Sequence, residues 1–231
     1  MTDGAGATGV TGASVDGYTG RFGESPLEQT VAAAGAMRRL TALLLSLEHP
    51  HPAVDDMVAR LAGWERELSA VAPVDATPRL ESDHGGRVYL NHAFDVGAYN
   101  PCFPEYTFDH LGDETASGRV TFGLSYEGPP GLVHGGFLGV FFDCVIQQQS
   151  CTAGLAGRTR SMLVSYRRPT PVLTELDFDI VRTEVERGLA SVARLSHRGE
   201  LLCTGEVTTA AMPPEKVSAN RFGRRRQEPQ R

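Results

Sequence analysis

The stretch 128–150 reads GPPGLVHGGFLGVFFDCVIQQQS and contains one charged residue, Asp143. No other Asp, Glu, Lys or Arg occurs between Gly128 and Gly157. A charge in such apolar surroundings costs free energy unless it is paired or used. Helical spacing over 135–151 collects the small and polar side chains on one stripe, with apolar residues on the remaining surface. That stripe consists of Gly136, Gly139, Asp143, Gln147 and Ser150. The pattern predicts a buried helix whose stripe lines a crevice or a subunit contact.

Strand-like segments surround this helix on both sides in the sequence. Two precede it, PEYTFDHL (104–111) and SGRVTFGLSY (117–126). Four follow it, at 160–169, 174–186, 189–197 and 201–212, and the last three are separated by turn residues. The order predicts an α+β domain with an antiparallel sheet wrapped around a long central helix.

Changes in composition divide the sequence into five regions. We expect a disordered tail over 1–24, a helical hairpin over 25–72 and a linker over 73–99. The main domain then covers 100–213, and a basic tail covers 214–231. The hairpin prediction depends on Ser25, Pro26 and Glu28, which suit a helix start, and on apolar side chains at helical spacing.

Composition excludes several classes of function. The chain has 231 residues, a formal net charge of −6, 41% hydrophobic and 22% charged residues, which is typical of a soluble globular protein. The negative charge argues against a nucleic-acid partner, and no apolar run is long enough to span a membrane. The cysteines are widely spaced and no signal peptide is evident, so we expect a reduced cytoplasmic protein without a bound metal.

Two parts of the central helix offer complementary chemistry. The first N–H groups of a helix have no internal partners, and Gly135 lets a ligand approach the backbone closely, so this end suits an oxyanion. Asp143 can act as a base or a nucleophile. The structural alternative is that Asp143 bonds to a backbone amide or to an arginine such as Arg160, and the stripe alone leaves both readings open.

The spacing of the two groups predicts a dimer. Gly135 and Asp143 are separated by about 12 Å along a helix that rises about 1.5 Å per residue. The aspartate side chain leans back toward the helix start and recovers part of that distance. If both groups act together on one carbonyl, we expect the site to be shared between two antiparallel helices of a symmetric dimer.

These residues also carry a family resemblance. GPPGLVHGGFLGVFFD (128–143), followed by TRSMLVSYRRP (159–169), resembles the hotdog-fold acyl-CoA thioesterases, of the PaaI-like and mammalian thioesterase-superfamily branches. The resemblance covers roughly 100–212, about half of the chain. It implies that the Gly135 N–H polarises the thioester carbonyl, His134 supports the loop, Asp143 of the partner chain attacks or activates water, and Thr159 orients the nucleophile.

The resemblance also implies an acyl-CoA substrate, a homodimer or dimer of dimers, and no cofactor beyond the coenzyme A of the substrate. Gly136 would border the substrate. Nearby arginines would contact the phosphates as charge-assisted donors, and these are Arg158, Arg160, Arg167 and Arg168. Some relatives place Asn six positions before the histidine, where this chain has Gly128, so carbonyl binding would depend more on Gly135.

Three alternatives compete with thioester hydrolysis. A hotdog hydratase needs a histidine about five residues from the aspartate, and CVIQQQS (144–150) contains none. A serine hydrolase is disfavoured because no G-x-S-x-G occurs. A non-catalytic module that binds acyl-CoA or assembles with a partner through the N-terminal helices stays open.

Overall fold

The computed structural model describes residues 28–71, 96–152, 157–186 and 188–211. Two helices come first, α1 (Glu28–Leu45) and α2 (Pro52–Val71), at the place where the sequence predicts a helical hairpin. Ser25 and Pro26, the predicted start signals, lie outside the described residues. The tails at 1–24 and 214–231 and most of the linker also lie outside them, and a short helix α3 (Val96–Tyr99) closes the linker.

The described residues of the main domain form six strands and one long helix. The strands are β1 (Tyr106–Leu111), β2 (Thr115–Thr121), β3 (Gly157–Tyr166), β4 (Glu175–Val185), β5 (Gly188–His197) and β6 (Glu200–Ala211). The helix α4 (Gly135–Thr152) stands between β2 and β3 in the chain, as the apolar run predicts. The order along the single antiparallel sheet is β1-β2-β4-β5-β6-β3.

The core forms where α4 lies against the sheet. Phe141, Phe142 and Ile146 of the helix are fully buried, and so are Leu176 and Leu195 of the sheet. Gly205 on β6 brings the sheet close to the helix, since a Cβ atom there would lie 2.4 Å from Phe142 Cγ. This α+β arrangement, a sheet wrapped around a central helix, is the hotdog fold and confirms the predicted fold class.

The second predicted strand differs from the observed one. The sequence predicts a strand over 117–126, but β2 ends at Thr121 and residues Leu124–Tyr126 form a 3-10 turn. The turn is closed by the Tyr126 N–H, which donates to the Gly123 carbonyl at 3.1 Å. It buries the Tyr126 ring edge-on against Phe122 and Phe137, so tertiary packing outweighs the strand preference of these residues.

The helical hairpin contacts the main domain through α1. Ala34 is buried, and the nearly buried Arg38 places Nη1 3.3 Å from Glu105 Oε1. Burial raises the pKa of Tyr126, while the charge of Arg38 acts in the opposite direction on that pKa. α2 contributes no buried residue. None of the helices in the described part of the chain is long and apolar enough to cross a membrane.

Candidate active site

His134 fixes the start of α4 through three hydrogen bonds. Its Nδ1 accepts from the Gly136 N–H at 3.0 Å, and its carbonyl accepts from the Phe137 N–H at 2.9 Å. Its own N–H donates to the Tyr126 carbonyl at 2.9 Å, which ties the loop to the 3-10 turn. His134 is therefore the N-cap residue, and the Gly136 N–H is occupied by its ring.

The N–H of Gly135 is left open by this capping pattern. Among the described residues, none accepts a hydrogen bond from it. The Gly135 carbonyl accepts from Tyr166 Oη at 3.0 Å, and a Cβ atom on Gly135 would lie 2.8 Å from the same Oη. The close approach of Tyr166 therefore requires a glycine at this position. The open N–H at the helix N-terminus suits an oxygen atom with developing negative charge.

Asp143 is half-buried and is held by a chain of two hydrogen bonds. Thr159 Oγ1 donates to Asp143 Oδ1 at 2.8 Å, and Gln147 Nε2 donates to Thr159 Oγ1 at 2.9 Å. Because the threonine hydroxyl has one proton, accepting from Gln147 directs that proton to the carboxylate. Within the described ranges, no Lys, Arg or His forms an ion pair with Asp143.

The structural alternative for Asp143, a bond to a backbone amide or to an arginine such as Arg160, is not observed among the described residues. Arg160 is exposed on β3. The carboxylate is oriented by a neutral hydroxyl instead, so its charge is not cancelled by a neighbouring cation. This combination of fixed direction and retained charge is what a general base or nucleophile requires.

Gly128 lies under the histidine and explains the departure from the relatives that have asparagine there. A Cβ atom at Gly128 would lie 2.9 Å from both Cα and Cβ of His134. The Gly128 N–H also donates to the Leu132 carbonyl at 2.9 Å, which closes the loop tightly. In this loop conformation an asparagine side chain does not fit, so the Gly135 N–H is the backbone donor that the site offers.

The predicted phosphate-binding arginines lie at both ends of β3. Arg160 and Arg167 are exposed, whereas Arg168 places Nε 2.7 Å from Glu200 Oε1 in an exposed ion pair. The backbone N–H groups of Arg167 and Arg168 both donate to the Leu202 carbonyl at 2.9 Å, which fixes the backbone at the end of the strand. The side chain of Arg158 lies outside the described residues.

Two residues join the site that the sequence interpretation left without a role. Gln147 is on the predicted stripe, one turn after Asp143, and this spacing was the available signal for its contact with Thr159. Tyr166 belongs to the YRRP segment, but its bond to the Gly135 carbonyl depends on how β3 lies along α4, which local sequence does not encode.

Comparison with known proteins supports the fold class. No family model matches the sequence, and no curated protein matches it. Among solved structures, a thioesterase superfamily protein matches with a TM-score of 0.65 and 24% identity, over 81% of this chain and 97% of that one. A hypothetical thioesterase from Streptococcus pneumoniae matches with a TM-score of 0.44 and 16% identity, over 47% of this chain and 89% of its own. Thioesterase superfamily member 2 from Mus musculus matches with a TM-score of 0.42 and 16% identity, over 46% of this chain and 80% of its own.

The fold and the first of these matches define the class of protein: a chain with the hotdog fold. The first of the three covers the N-terminal part as well, since 81% of this chain aligns with it.

Proposed function

We propose that this protein is an acyl-CoA thioesterase that hydrolyses the thioester to a free acid and coenzyme A. The observation that carries the proposal is the Asp143 carboxylate, oriented by Thr159 and without a basic partner among the described residues. It stands on the same helix as an open N–H at Gly135. A carboxylate and an oxyanion donor are the two groups that addition to a carbonyl requires.

In the proposed reaction the thioester carbonyl oxygen accepts a hydrogen bond from Gly135. Asp143 takes a proton from water as the water oxygen attacks the carbonyl carbon, and negative charge develops on the oxygen at Gly135. Collapse of the tetrahedral intermediate breaks the carbon–sulfur bond, and the proton passes from Asp143 to the leaving thiolate. Direct attack by Asp143 gives a mixed anhydride that water then hydrolyses, with the same products.

The two groups are proposed to act on one carbonyl from two different chains. Gly135 begins α4 and Asp143 lies in its middle, so the rise of the helix separates them by about 12 Å within a protomer. β3 is an edge strand, and it exposes the large side chains of Met162, Leu163 and Tyr166. Exposed apolar side chains on an unpaired edge favour pairing with a second chain. A homodimer joined along β3 brings two copies of α4 together.

Coenzyme A binding is proposed to use the exposed arginines at the ends of β3. Arg160 and Arg167 are free of ion pairs with the described residues, so their guanidinium groups can contact phosphate oxygens. Arg168 would first have to leave Glu200, which makes it the weaker candidate of the three. Gly136 is exposed at the first turn of α4 and is proposed to give the substrate access to the helix start.

The test is release of free thiol from a panel of acyl-CoA substrates by the full chain and by Asp143→Ala. We expect turnover by the wild type, a fall of about 10²–10⁴-fold in the variant, and an unchanged dimer in sedimentation. Asp109→Ala is the matched control, because Asp109 is an exposed aspartate paired with Arg119 on the neighbouring strand. Full activity of Asp143→Ala would refute the mechanism. Tight acyl-CoA binding without thiol release by the wild type would favour a binding module.

A further inference from the structure

An almost fully buried arginine lies on the inward face of β4, outside the residues assigned to the candidate active site. The inward side chains of β4 are Leu176, Phe178, Ile180 and Arg182, at alternate positions. Arg182 has 7% of its surface exposed. Its Nη1 atom is buried without a hydrogen-bond partner, and no described carboxylate forms an ion pair with it.

Further buried polar atoms lack a partner among the described residues. Ser191 and Thr209 on the sheet have unpartnered hydroxyl groups, and so does Ser150 near the end of α4. Ser150 is completely buried, and the other two are 2% exposed. Arg182, Ser191 and Thr209, which lie on one face of the sheet, are named the Arg182 cluster. Native proteins leave few buried polar groups unpaired, so a group of them in one place calls for a ligand.

The strand register brings the sheet members of the cluster together. Arg182 lies directly opposite Ser191 in the β4–β5 ladder. Thr209 is the diagonal neighbour of Ser191, because Val207 is opposite Ser191 and Leu189 is opposite Thr209. All three side chains are buried on the face of the sheet that packs on α4.

The end of α4 and the Arg182 backbone are joined through the β1–β2 turn. Gln149 Nε2 donates to the Gly112 carbonyl at 3.0 Å, and the Arg182 N–H donates to the Glu114 carbonyl at 2.8 Å. Gln149 Oε1 is also buried without a partner, but it is an acceptor and therefore does not bind an anion.

The chemistry of the Arg182 cluster selects an anion. A guanidinium stays charged in proteins, and removing it from water is unfavourable unless a negative charge is placed beside it. The hydroxyl groups of Ser191 and Thr209 can each donate one hydrogen bond to an anion. Water would satisfy the hydroxyl groups but would leave the positive charge uncompensated.

We propose that the Arg182 cluster binds a small anion of carboxylate size. Two sources share this chemistry, a free anion from solution and a carboxylate at the far end of the acyl group. The second source is within reach of the candidate active site, because Thr159 lies opposite Thr209 in the β3–β6 ladder. The anion site itself does not depend on the proposed hydrolysis. The assignment of its ligand to the acyl group does depend on it.

The first experiment uses the unmodified protein with bromide as the probe. Crystals grown in sodium gluconate and soaked in sodium bromide are expected to show anomalous density within contact of Arg182 and Ser191. In solution, replacing gluconate by chloride or acetate at constant ionic strength is expected to raise the melting temperature by about 3 °C. Absence of the density together with an unchanged melting temperature would refute a site for free anions.

Arg182→Met separates this site from general salt effects. Replacing an uncompensated buried charge by an apolar residue of similar volume is often neutral or stabilising, so the variant is expected to fold. We expect it to lose the response to chloride and acetate. Arg194→Met is the matched control, since Arg194 is exposed on the neighbouring strand and bonded to Asp179 at 2.7 Å. An equal response in both variants would contradict the assignment.

The second experiment identifies the source of the anion. Thiol release is measured with succinyl-, adipoyl- and suberoyl-CoA, each against the unsubstituted acyl-CoA of the same length. The informative result is a higher kcat/KM for one dicarboxylic substrate than for its unsubstituted counterpart. If Arg182→Met loses this preference and Arg194→Met keeps it, the bound carboxylate belongs to the substrate. Bromide density without such a preference assigns the site to a free anion. No bromide, no melting response and no preference would overturn the proposal. Failure to hydrolyse any thioester refutes the proposed function and leaves the bromide result standing.

Discussion

Thr159 Oγ1 donates a hydrogen bond of 2.8 Å to Asp143 Oδ1, which links β3 to the middle of α4. On its other side, Thr159 Oγ1 accepts a hydrogen bond of 2.9 Å from Gln147 Nε2. The carboxylate is thus aimed by two side chains that carry no charge. These neighbours therefore fix the direction of the Asp143 carboxylate without neutralising its charge.

Thr159→Val is therefore expected to reduce catalysis with little effect on substrate binding. The substitution preserves the branched shape but removes the hydroxyl, so the carboxylate is free to rotate. We expect kcat for thiol release to fall by about 10–100-fold, with KM within a small factor of its original value. Steady-state kinetics on one acyl-CoA measure both constants.

Thr159→Ser is the control for this prediction, because it restores the hydroxyl without the methyl group. It should recover most of the lost kcat. If Thr159→Val and Thr159→Ser behave alike, the hydrogen bond has no role in the reaction and the threonine acts through packing alone. An unchanged kcat in Thr159→Val would lead to the same conclusion.

Gly135→Ala tests the close approach of Tyr166 to the helix start. The new Cβ atom would lie 2.8 Å from Tyr166 Oη and 3.0 Å from its Cζ, so the chain or the ring must move. A shift of the Gly135 N–H misplaces the proposed oxyanion donor, and we expect a loss of about 10²-fold in kcat/KM. The same kinetic assay measures it.

A double-mutant cycle with Tyr166→Phe assigns the cause of that loss. Removing Oη removes the nearest atom, so Gly135→Ala combined with Tyr166→Phe should be more active than the product of the two single effects predicts. Strict additivity would mean that Tyr166 does not cause the loss. Normal activity of Gly135→Ala would show that the helix start tolerates a side chain and that the donor lies elsewhere.

Much of the fold could be predicted because the relevant patterns are local. The apolar run around Asp143 and the alternating strands at 174–212 produce elements close to their predicted bounds. Leu124–Tyr126 was wrongly predicted as strand, since the burial of the Tyr126 ring against Phe122 and Phe137 is a tertiary effect.

The site could be predicted in part for the same reason. Gly135, Asp143 and Gln147 lie on one helix, where spacing alone relates them. The approach of Tyr166 and the inward direction of Arg182 depend on strand register and on the neighbouring strands. The alternation in LDFDIVR (176–182) nevertheless places Arg182 on the buried face, and this signal was available in the sequence.

Gly205→Ala is expected to destabilise the protein through the core rather than the site. A Cβ atom would lie 2.4 Å from Phe142 Cγ, and the fully buried ring has little room to retreat. Overpacking of this kind typically costs about 1–3 kcal/mol in the free energy of unfolding. Urea unfolding followed by circular dichroism measures it.

Gly63→Ala is the matched control for this substitution, because no atom lies within 4 Å of its added Cβ. In the exposed helix α2 it should stabilise the protein by about 0.4–1 kcal/mol, since alanine restricts the unfolded chain. A Gly205→Ala variant as stable as Gly63→Ala would contradict the close packing between β6 and α4.

Stability in alkaline solution should depend on Cys203. Burial raises the pKa of its thiol from 9.0 to about 11, and a hydrogen bond with Thr170 partly opposes the rise in pKa. Between these two values the unfolded chain releases the proton while the folded chain keeps it. The unfolded state then binds fewer protons, so stability is complete below pH 9 and decreases as pH rises toward about 11.

Under reducing conditions, the free energy of unfolding should therefore fall by about 1.4 kcal/mol per pH unit in this window. Cys203→Ala should be less stable at neutral pH but should show a flatter decline. A residual slope near the upper end is expected from Tyr126, because burial raises its pKa as well. Cys102→Ala, which changes an exposed thiol, should keep the full wild-type slope. Equal slopes for the wild type and Cys203→Ala in urea titrations would show that the Cys203 thiol does not control alkaline unfolding.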